Sequence, residues 1–337
     1  MKYLNLFINY RCGLVLIMLL CFTISLSASE GGYSMTGMGR GTEGLVNGGL
    51  ASIYWSGITE MKSNVGLLNE ICGSEAGIGI NMNKFVGGNS YIAYGKGYKK
   101  DEERYGIGIM INRMDVLGRA FTVTDDTTNG MGYTGFVKRG DNKFSITELN
   151  IGISGEYGRL DYGVLMKGGF GRGESTDYWS YGGDLGIRYI IKENIGDNID
   201  SMGISLTGKD ILGHRLLWGD GVKEKSNTIL DGGIGCKVKI EKELIKGFDT
   251  GLRIELGGKG EIGEATDLRA KAGLTLDMRN EMGFGLKVLT GYDGHNLRGG
   301  ISIDAGPVTF GFMTGYMLGS LESLMNTNTS VELIKRF

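Results

Sequence analysis

The segment Leu268-Arg269-Ala270-Lys271-Ala272-Gly273-Leu274-Thr275-Leu276-Asp277 has apolar residues at its even positions and charged, polar or glycine residues at its odd positions. Because successive side chains of an extended strand point to opposite faces, this segment has one apolar face and one polar face. The same period of two recurs over 105–112, where the face opposite Tyr105 and three isoleucines is mainly glycine. This pattern is typical of a β-strand whose two faces meet different surroundings.

Strand-like segments continue along most of the chain, which has 62 glycines and one proline among its 337 residues. They are placed at 62–69, 76–83, 88–97, 104–113, 144–157, 160–171, 178–190, 201–207, 228–240, 249–259, 266–277, 281–291, 296–305, 307–318 and 328–337. Single-chain bacterial membrane barrels have an even number of strands, so about fourteen is the preferred number, with twelve or sixteen as alternatives. The predicted fold is therefore all-β, a large antiparallel barrel.

The N-terminal residues indicate whether the apolar faces point inward, as in a soluble sandwich or lipocalin-like barrel, or outward into lipid. Lys2 and Arg11 accompany an apolar run over 14–22, and small residues follow at 25–29. This is the pattern of a secretory signal peptide cleaved near Ala28, with an uncleaved anchor helix as the alternative. After it, no apolar run in the sequence approaches the roughly 18 residues that a membrane helix needs.

We therefore predict that residues 62–337 form a transmembrane antiparallel β-barrel in the lipid of the bacterial outer membrane, and that residues 1–28 form the signal peptide. Residues 29–61 are rich in glycine and do not alternate. A barrel of this size has room for a plug, so we expect this segment to be an N-terminal hatch inside the lumen. The candidate hatch residues are Gly37, Gly39, Arg40, Tyr54 and Trp55.

Charged residues on the polar faces of the predicted strands must point away from hydrocarbon, where each would cost several kcal/mol. The candidate lumen-lining residues are Lys237, Lys239, Arg253, Glu255, Arg269, Lys271, Lys287 and Arg298. Two roles remain open for them: cross-strand salt bridges within the wall, or contacts with a solute. Their basic excess would favour a solute with an acidic head group.

Aromatic residues cluster toward the ends of several predicted strands, where barrels place their interfacial girdles. The residues assigned to the girdles are Tyr91, Tyr94, Tyr98, Tyr105, Tyr178, Trp179, Tyr181 and Tyr189.

The residues needed for catalysis, metal binding or nucleic-acid binding are sparse. A formal net charge of −2, from 36 basic and 38 acidic residues, gives no electrostatic footprint for nucleic acid. The two histidines, His214 and His295, lie in no pattern of metal ligands, and the segment around Asp293 and His295 is typical of a turn. We therefore predict no enzymatic activity and no cofactor.

Two stretches carry a resemblance to a known family. Gly37-Met38-Gly39-Arg40, Leu45-Val46 and 51–55 resemble the N-terminal signature of the long-chain fatty-acid transporter (FadL-type) superfamily of outer-membrane barrels. The segments 203–206, 209–213 and 215–218 are similar to a mid-barrel region of its PorV-like branch. The family usually follows the aromatic pair with Asn-Pro-Ala-Gly, whereas Ser56-Gly57-Ile58-Thr59 follows Trp55 here.

The resemblance implies a fourteen-stranded barrel with an N-terminal hatch and no cofactor. The first functional hypothesis is that the barrel binds small hydrophobic or amphipathic compounds, or passes them across the outer membrane. The alternatives are a PorV-like accessory component of a protein secretion system, whose partner is a secreted or secretion-system protein, and a structural surface barrel.

Overall fold

The computed structural model describes residues 53–54, 57–83, 87–116, 144–172, 177–195, 198–211, 215–218, 223–225, 228–240, 244–262, 267–292, 296–317 and 327–337. The predicted signal peptide over 1–28 and the hatch candidates Gly37, Gly39, Arg40 and Trp55 lie outside these residues. No helix among the described residues is long and apolar enough to cross a membrane.

The described chain consists almost entirely of antiparallel strands. These are β1 (Ser74–Asn83), β2 (Gly87–Lys100), β3 (Glu103–Val116), β4 (Phe144–Tyr157), β5 (Leu160–Arg172), β6 (Asp177–Ile195), β7 (Ile199–Lys209), β8 (Arg215–Trp218), β9 (Lys223–Lys225), β10 (Thr228–Ile240), β11 (Asp249–Ile262), β12 (Asp267–Arg279), β13 (Phe284–Tyr292), β14 (Asn296–Ala305), β15 (Val308–Met317) and β16 (Thr327–Arg336). Two short 3-10 helices, Ile58–Glu60 and Val65–Glu70, precede β1.

The sheet closes on itself through the pairing of β1 with β16, in which Ile78 lies opposite Leu333. Each of the other barrel strands pairs with its neighbours in chain order, except that β7 pairs directly with β10. The sheet has sixteen strands in the described residues, and β8 and β9 form a side hairpin on the beginning of β6, so fourteen strands close the barrel. The predicted fold and the preferred strand number are confirmed.

One predicted strand is wrong, and one hairpin was not predicted. Residues 62–69 do not form a strand, because the side chain of Asn64 accepts a hydrogen bond from the Gly66 N–H at 3.0 Å and caps the 3-10 helix Val65–Glu70. The first strand of the wall therefore begins at Ser74. The β8–β9 hairpin is the missed element.

The apolar faces of the strands that close the barrel point outward. On β3, the side chains of Ile107, Ile109 and Ile111 are exposed, whereas Met110 and Asn112, on the alternate face, are buried. On β12, Leu274 is exposed while its neighbour Thr275 is buried. An apolar exterior around a closed barrel is the arrangement that a bilayer requires, because lipid meets the wall directly.

Exposed aromatic residues mark two levels on this exterior. On β5, Tyr162 and Phe170 are eight residues apart, as are Tyr189 and Tyr181 on β6, and all four are exposed. With a rise of roughly 3.3 Å per residue and a strand tilt of about 40°, eight residues span about 20 Å, which is close to the apolar band of membrane barrels. The girdle interpretation is wrong for Tyr91, which is buried on the inner face and donates a hydrogen bond to Glu332 at 3.3 Å.

The two ends of the barrel differ in the length of their connections. At the end where Ser74 and Phe337 lie, two-residue turns join β2 to β3, β4 to β5 and β14 to β15. At the other end, the long connections 117–143, between β3 and β4, and 210–227, which contains β8 and β9, join strands of the wall. Outer-membrane barrels have short periplasmic turns and longer external loops, so we name these the periplasmic end and the outer end.

We expect an arginine on the exterior to destabilise the barrel according to its depth. Met166 lies on the outer face of β5 midway between Tyr162 and Phe170, and Tyr157 lies at the periplasmic end of β4. Met166→Arg should lower the free energy of unfolding by about 2–4 kcal/mol and Tyr157→Arg by about 0–1 kcal/mol. Urea unfolding in lipid vesicles measures both, and equal losses would contradict the outward orientation.

A plugged lumen as the candidate functional site

Residues 57–73, here called the plug segment, lie inside the barrel. Ile58, Met61 and Leu68 of this segment are fully buried. With Val65 and Ile71 they form an apolar cluster with side chains of the inner wall, namely Tyr91, Ala93, Met110 and Leu165. The plug segment is therefore packed against β2, β3 and β5.

Glycines on the inner face of the wall allow the backbone of the plug segment to approach. A Cβ atom built at Gly97 would lie 1.7 Å from the carbonyl oxygen of Ile71, and one at Gly106 would lie 2.2 Å from that of Leu68. Both distances are far shorter than any van der Waals contact, so only glycine fits at these positions. The plug segment therefore packs against the glycine-rich faces that the sequence shows.

A buried ion pair joins the plug segment to β4. The Lys62 Nζ lies 2.6 Å from Oε1 of Glu148, and the two side chains are 1% and 2% exposed. The amide of Asn112 on β3 donates to the same Glu148 oxygen at 3.3 Å. Because an unpaired charge in a dry interior is costly, each partner depends on the other being in place.

A second polar anchor lies near the end of the plug segment. The Arg188 guanidinium on β6 donates to Asp161 on β5 at 2.7 Å, to the carbonyl of Ile53 at 2.8 Å and to the carboxylate of Glu70. The amide of Asn69 also donates to Asp161. One guanidinium therefore holds two parts of the N-terminal region against the wall.

The third anchor lies at the seam where the barrel closes. The Ile58 N–H donates to Oε2 of Glu75 on β1 at 2.8 Å. The other oxygen of Glu75 accepts from Arg336 on β16 at 3.2 Å. The plug segment is thus bound to the first and last strands of the wall together.

The opposite wall carries most of the charges that the sequence placed on inner faces. Of the candidates, Arg253, Glu255, Lys271 and Lys287 are buried, Lys237, Arg269 and Arg298 are half-buried, and Lys239 is exposed. Three of them make cross-strand ion pairs: Arg253 with Asp277 at 2.9 Å, Lys271 with Asp231 at 2.8 Å and Lys237 with Asp200 at 3.0 Å. This wall is therefore a ladder of paired charges.

The sequence analysis missed the charges of the wall nearest the plug segment. Glu148, Asp161, Lys167, Asp184 and Arg188 lie on inner faces of β4, β5 and β6 and are all buried. Lys167 lies 2.6 Å from Asp184 and also binds Asp210. The available signal was their even spacing from glycines of the same strands, such as Gly152, Gly163 and Gly186, which places them on the same inner face.

Tyr54 lies between the plug segment and the charged wall. Its hydroxyl donates to the carbonyl of Ser201 at 3.2 Å, and the Arg253 guanidinium lies 5.6 Å from the centre of its ring. Burial raises the pKa of the Tyr54 hydroxyl to about 12, so the group is neutral at physiological pH. Of the hatch candidates, it is the one that the structure describes.

Two adjoining cavities lie along the charged wall, and the first also borders Glu70 of the plug segment. One, of about 250 Å³, is lined by Ile53, Tyr54, Glu70, Arg188, Ile190, Ser201, Met202, Gly203, Lys237 and Arg253. The other, of about 430 Å³, is lined by Asp200, Lys237, Lys239, Asp249, Thr250, Gly251, Arg253, Asp277 and Arg279. They share Lys237 and Arg253, and the exposure of Lys239, Asp249 and Arg279 shows that the second opens at the periplasmic end.

The described residues contain no group of three or more histidine, cysteine, aspartate or glutamate side chains that could hold a metal ion.

The fold and the lumen define a plugged transmembrane β-barrel. No family model matches the chain, and none of the curated proteins matches it. Among solved structures, it is similar to the toluene transporter TodX of P. putida (13% identity, 89% of this chain and 99% of that chain, TM-score 0.47). It is also similar to the toluene transporter TbuX of Ralstonia pickettii (12% identity, 89% and 98%, TM-score 0.47) and to the KdgM porin (11% identity, 78% and 99%, TM-score 0.33). No family assignment follows from these similarities.

We predict that a methyl group at Gly106 displaces the plug segment. Gly106→Ala should lower the free energy of unfolding by about 1–3 kcal/mol, as overpacking does, and should expose residues 57–73 to protease. The matched control is Gly168→Ala, since a Cβ atom there meets nothing within 4 Å. Limited proteolysis of the refolded barrels tests this. Identical cleavage of both variants would disprove that the plug segment packs closely against Gly106.

Removing one partner of the Lys62–Glu148 pair should be more harmful than removing both. Lys62→Met leaves the Glu148 carboxylate buried without its cation, which costs about 3–5 kcal/mol, whereas adding Glu148→Leu should restore much of that loss. A double-mutant cycle on the unfolding free energy measures the coupling. Additive losses would show that the pair does not hold the plug segment.

Proposed function

We propose that the protein is an outer-membrane barrel that binds small hydrophobic or amphipathic compounds, or passes them across the outer membrane. The observation that carries this is the cavity of about 250 Å³ between the plug segment and the wall. Its lining combines apolar side chains, including Ile53 and Ile190, with the cations Arg188, Lys237 and Arg253. Glu70 lines the cavity too, and such a mixture of apolar and polar side chains suits a small amphipathic compound.

The position of the cavity supports a route along one side of the lumen. The glycine-lined side is filled by the plug segment, which is fixed to it by apolar packing and polar anchors. On the charged side, the first cavity borders Glu70 of the plug segment, and the second adjoins it and opens at the periplasmic end. A compound entering from outside would reach the periplasm past Tyr54, with its polar groups toward Lys237 and Arg253.

Access to this route would be set by the N-terminal residues. In this proposal, residues 30–61 form the gate, and Tyr54 is the part of it that contacts the wall at Ser201. The localisation that fits this role is the bacterial outer membrane, reached after cleavage of the signal peptide near Ala28. The compound itself would be the main partner, together with the surrounding lipid.

We expect that filling the cavity slows solute entry. Ser201 lines the cavity, so Ser201→Phe should reduce the flux of a hydrophobic solute into proteoliposomes several-fold. The matched control is Ser90→Phe, which adds the same side chain to an exposed position on β2.

Deletion of residues 31–50 should also change the flux, because it removes most of the proposed gate. Flux unaffected by both Ser201→Phe and the deletion would refute a route past Tyr54. Equal losses of flux in Ser201→Phe and Ser90→Phe would show that the substitutions impair folding and do not block a route.

A further inference from the structure

Two lysines flank the first strand of the wall, on the exterior of the barrel at its periplasmic end. Lys335 on β16 lies opposite Ala76 of β1, and Lys96 on β2 lies opposite Ser74 of the same strand. Directly opposite residues of antiparallel strands share a face of the sheet. Both lysines are exposed, and the alternate face at Ile334 is buried, so this shared face is the one that meets lipid.

The strand between the lysines has short side chains on this face. Ser74 and Ala76 are its outward residues nearest the periplasmic end, and the first bulky one is Ile78, which is 51% exposed. At a strand spacing of about 4.8 Å and a rise of about 3.4 Å per residue, the Cα atoms of Lys96 and Lys335 are about 12 Å apart. Because each lysine has a flexible four-carbon stem, both ammonium groups can reach one group that lies over β1.

Aromatic rings lie beside the two ammonium groups. The Nζ of Lys96 is 5.2 Å from the ring centre of Tyr98, and the Nζ of Lys335 is 4.8 Å from that of Phe337. Both rings are exposed on the exterior. A ring attracts a cation without neutralising it, so the two lysines keep their positive charges.

The carboxylates of the neighbouring strands are directed elsewhere. Glu75 on β1 and Glu332 on β16 are buried on the inner face. Glu103, at the start of β3, accepts a hydrogen bond from Tyr105 and lies opposite Lys100. Within the part of the chain that the structure describes, neither lysine beside β1 has an acidic partner within ion-pair distance.

The two ammonium groups lie at the level of lipid headgroups. Tyr98 belongs to the same cross-strand row as Tyr162, and each lies two residues from the turn end of its strand. Tyr162 marks the periplasmic aromatic level of the exterior, and Phe337 directly follows β16 at the same end. Aromatic belts lie at the boundary between acyl chains and headgroups, and a lysine near this boundary extends its ammonium group to the headgroups.

We propose that this surface binds the headgroup of an anionic phospholipid in the periplasmic leaflet. We call it the seam site, and its residues are Ser74, Ala76, Lys96, Tyr98, Lys335 and Phe337. The phosphodiester lies over the short side chains of β1, where both ammonium groups donate to it. This inference is independent of solute passage through the lumen.

Continuity with the apolar exterior favours a lipid as the occupant of the seam site. Ile78 and Ile92 lie opposite each other directly beyond Ala76 and Tyr94, and both isoleucines are exposed on the same face. The acyl chains of a lipid whose phosphate lies over β1 continue over these isoleucines. One molecule therefore meets both the charged and the apolar parts of this face.

The charge of the seam site predicts a preference between two phospholipids. Phosphatidylglycerol and phosphatidylethanolamine carry the same phosphodiester, but the second also carries an ammonium group, which the two lysines repel. The wild-type barrel should therefore bind phosphatidylglycerol more tightly than phosphatidylethanolamine with identical acyl chains.

The test compares the detergent-solubilised full-length barrel with the variant Lys96→Gln/Lys335→Gln. The probes are these two phospholipids, and native mass spectrometry measures both affinities. A lysine near an anionic lipid headgroup contributes about fivefold, so the double variant should bind phosphatidylglycerol at least about tenfold more weakly. Its affinity for phosphatidylethanolamine should stay close to that of the wild type.

The matched control variant is Lys99→Gln/Lys246→Gln, which removes two exposed cations at the periplasmic end outside the seam site. It should keep wild-type affinity for phosphatidylglycerol. Heat-modifiable electrophoretic mobility confirms that each barrel is folded. The proposal is overturned if the wild-type barrel does not prefer phosphatidylglycerol, if Lys96→Gln/Lys335→Gln keeps its affinity, or if both double variants lose it equally.

Discussion

The contact between the backbone of the plug segment and the inward glycines of the wall sets the form of the lumen. At Gly97 and Gly106, any side chain would overlap a carbonyl oxygen of residues 57–73. The strands beside the plug segment therefore have glycines where its backbone approaches and buried charges elsewhere on the inner face, and the strands across the lumen also carry paired charges. Among the described residues, a cavity of about 250 Å³ lies at the boundary between these two surfaces.

The polar anchors of the plug segment act at different points around the wall. Lys62 binds β4, Glu70 binds β6, and the backbone at Ile58 binds β1. Each anchor is buried or partly buried, so its charges depend on each other more than surface ion pairs do. Fixation at three separated points, together with the apolar cluster, holds the plug segment against the wall, and Ile53, Tyr54 and Glu70 line the cavity beside it.

The sequence predicted the strands well because lipid on one side and the lumen on the other impose a period of two along each strand. It failed over 62–69 because the plug segment does not meet lipid, and local capping by Asn64 determines its conformation. Tyr91 was misplaced because a tyrosine suits an interface and also a lumen where its hydroxyl finds an acceptor, here Glu332. Alternation marks Glu148 and Arg188 as inward, but their partners come from residues that are distant in sequence.

The hydrogen bonds around Glu75 have a consequence for assembly. Glu75 binds Ile58, near the start of the described chain, and Arg336, next to its last residue. Contacts between such distant parts of a polypeptide carry a large loop-closure entropy and form late in folding. A chain lacking β16 would therefore leave the buried carboxylate of Glu75 bonded to Ile58 but without the guanidinium of Arg336.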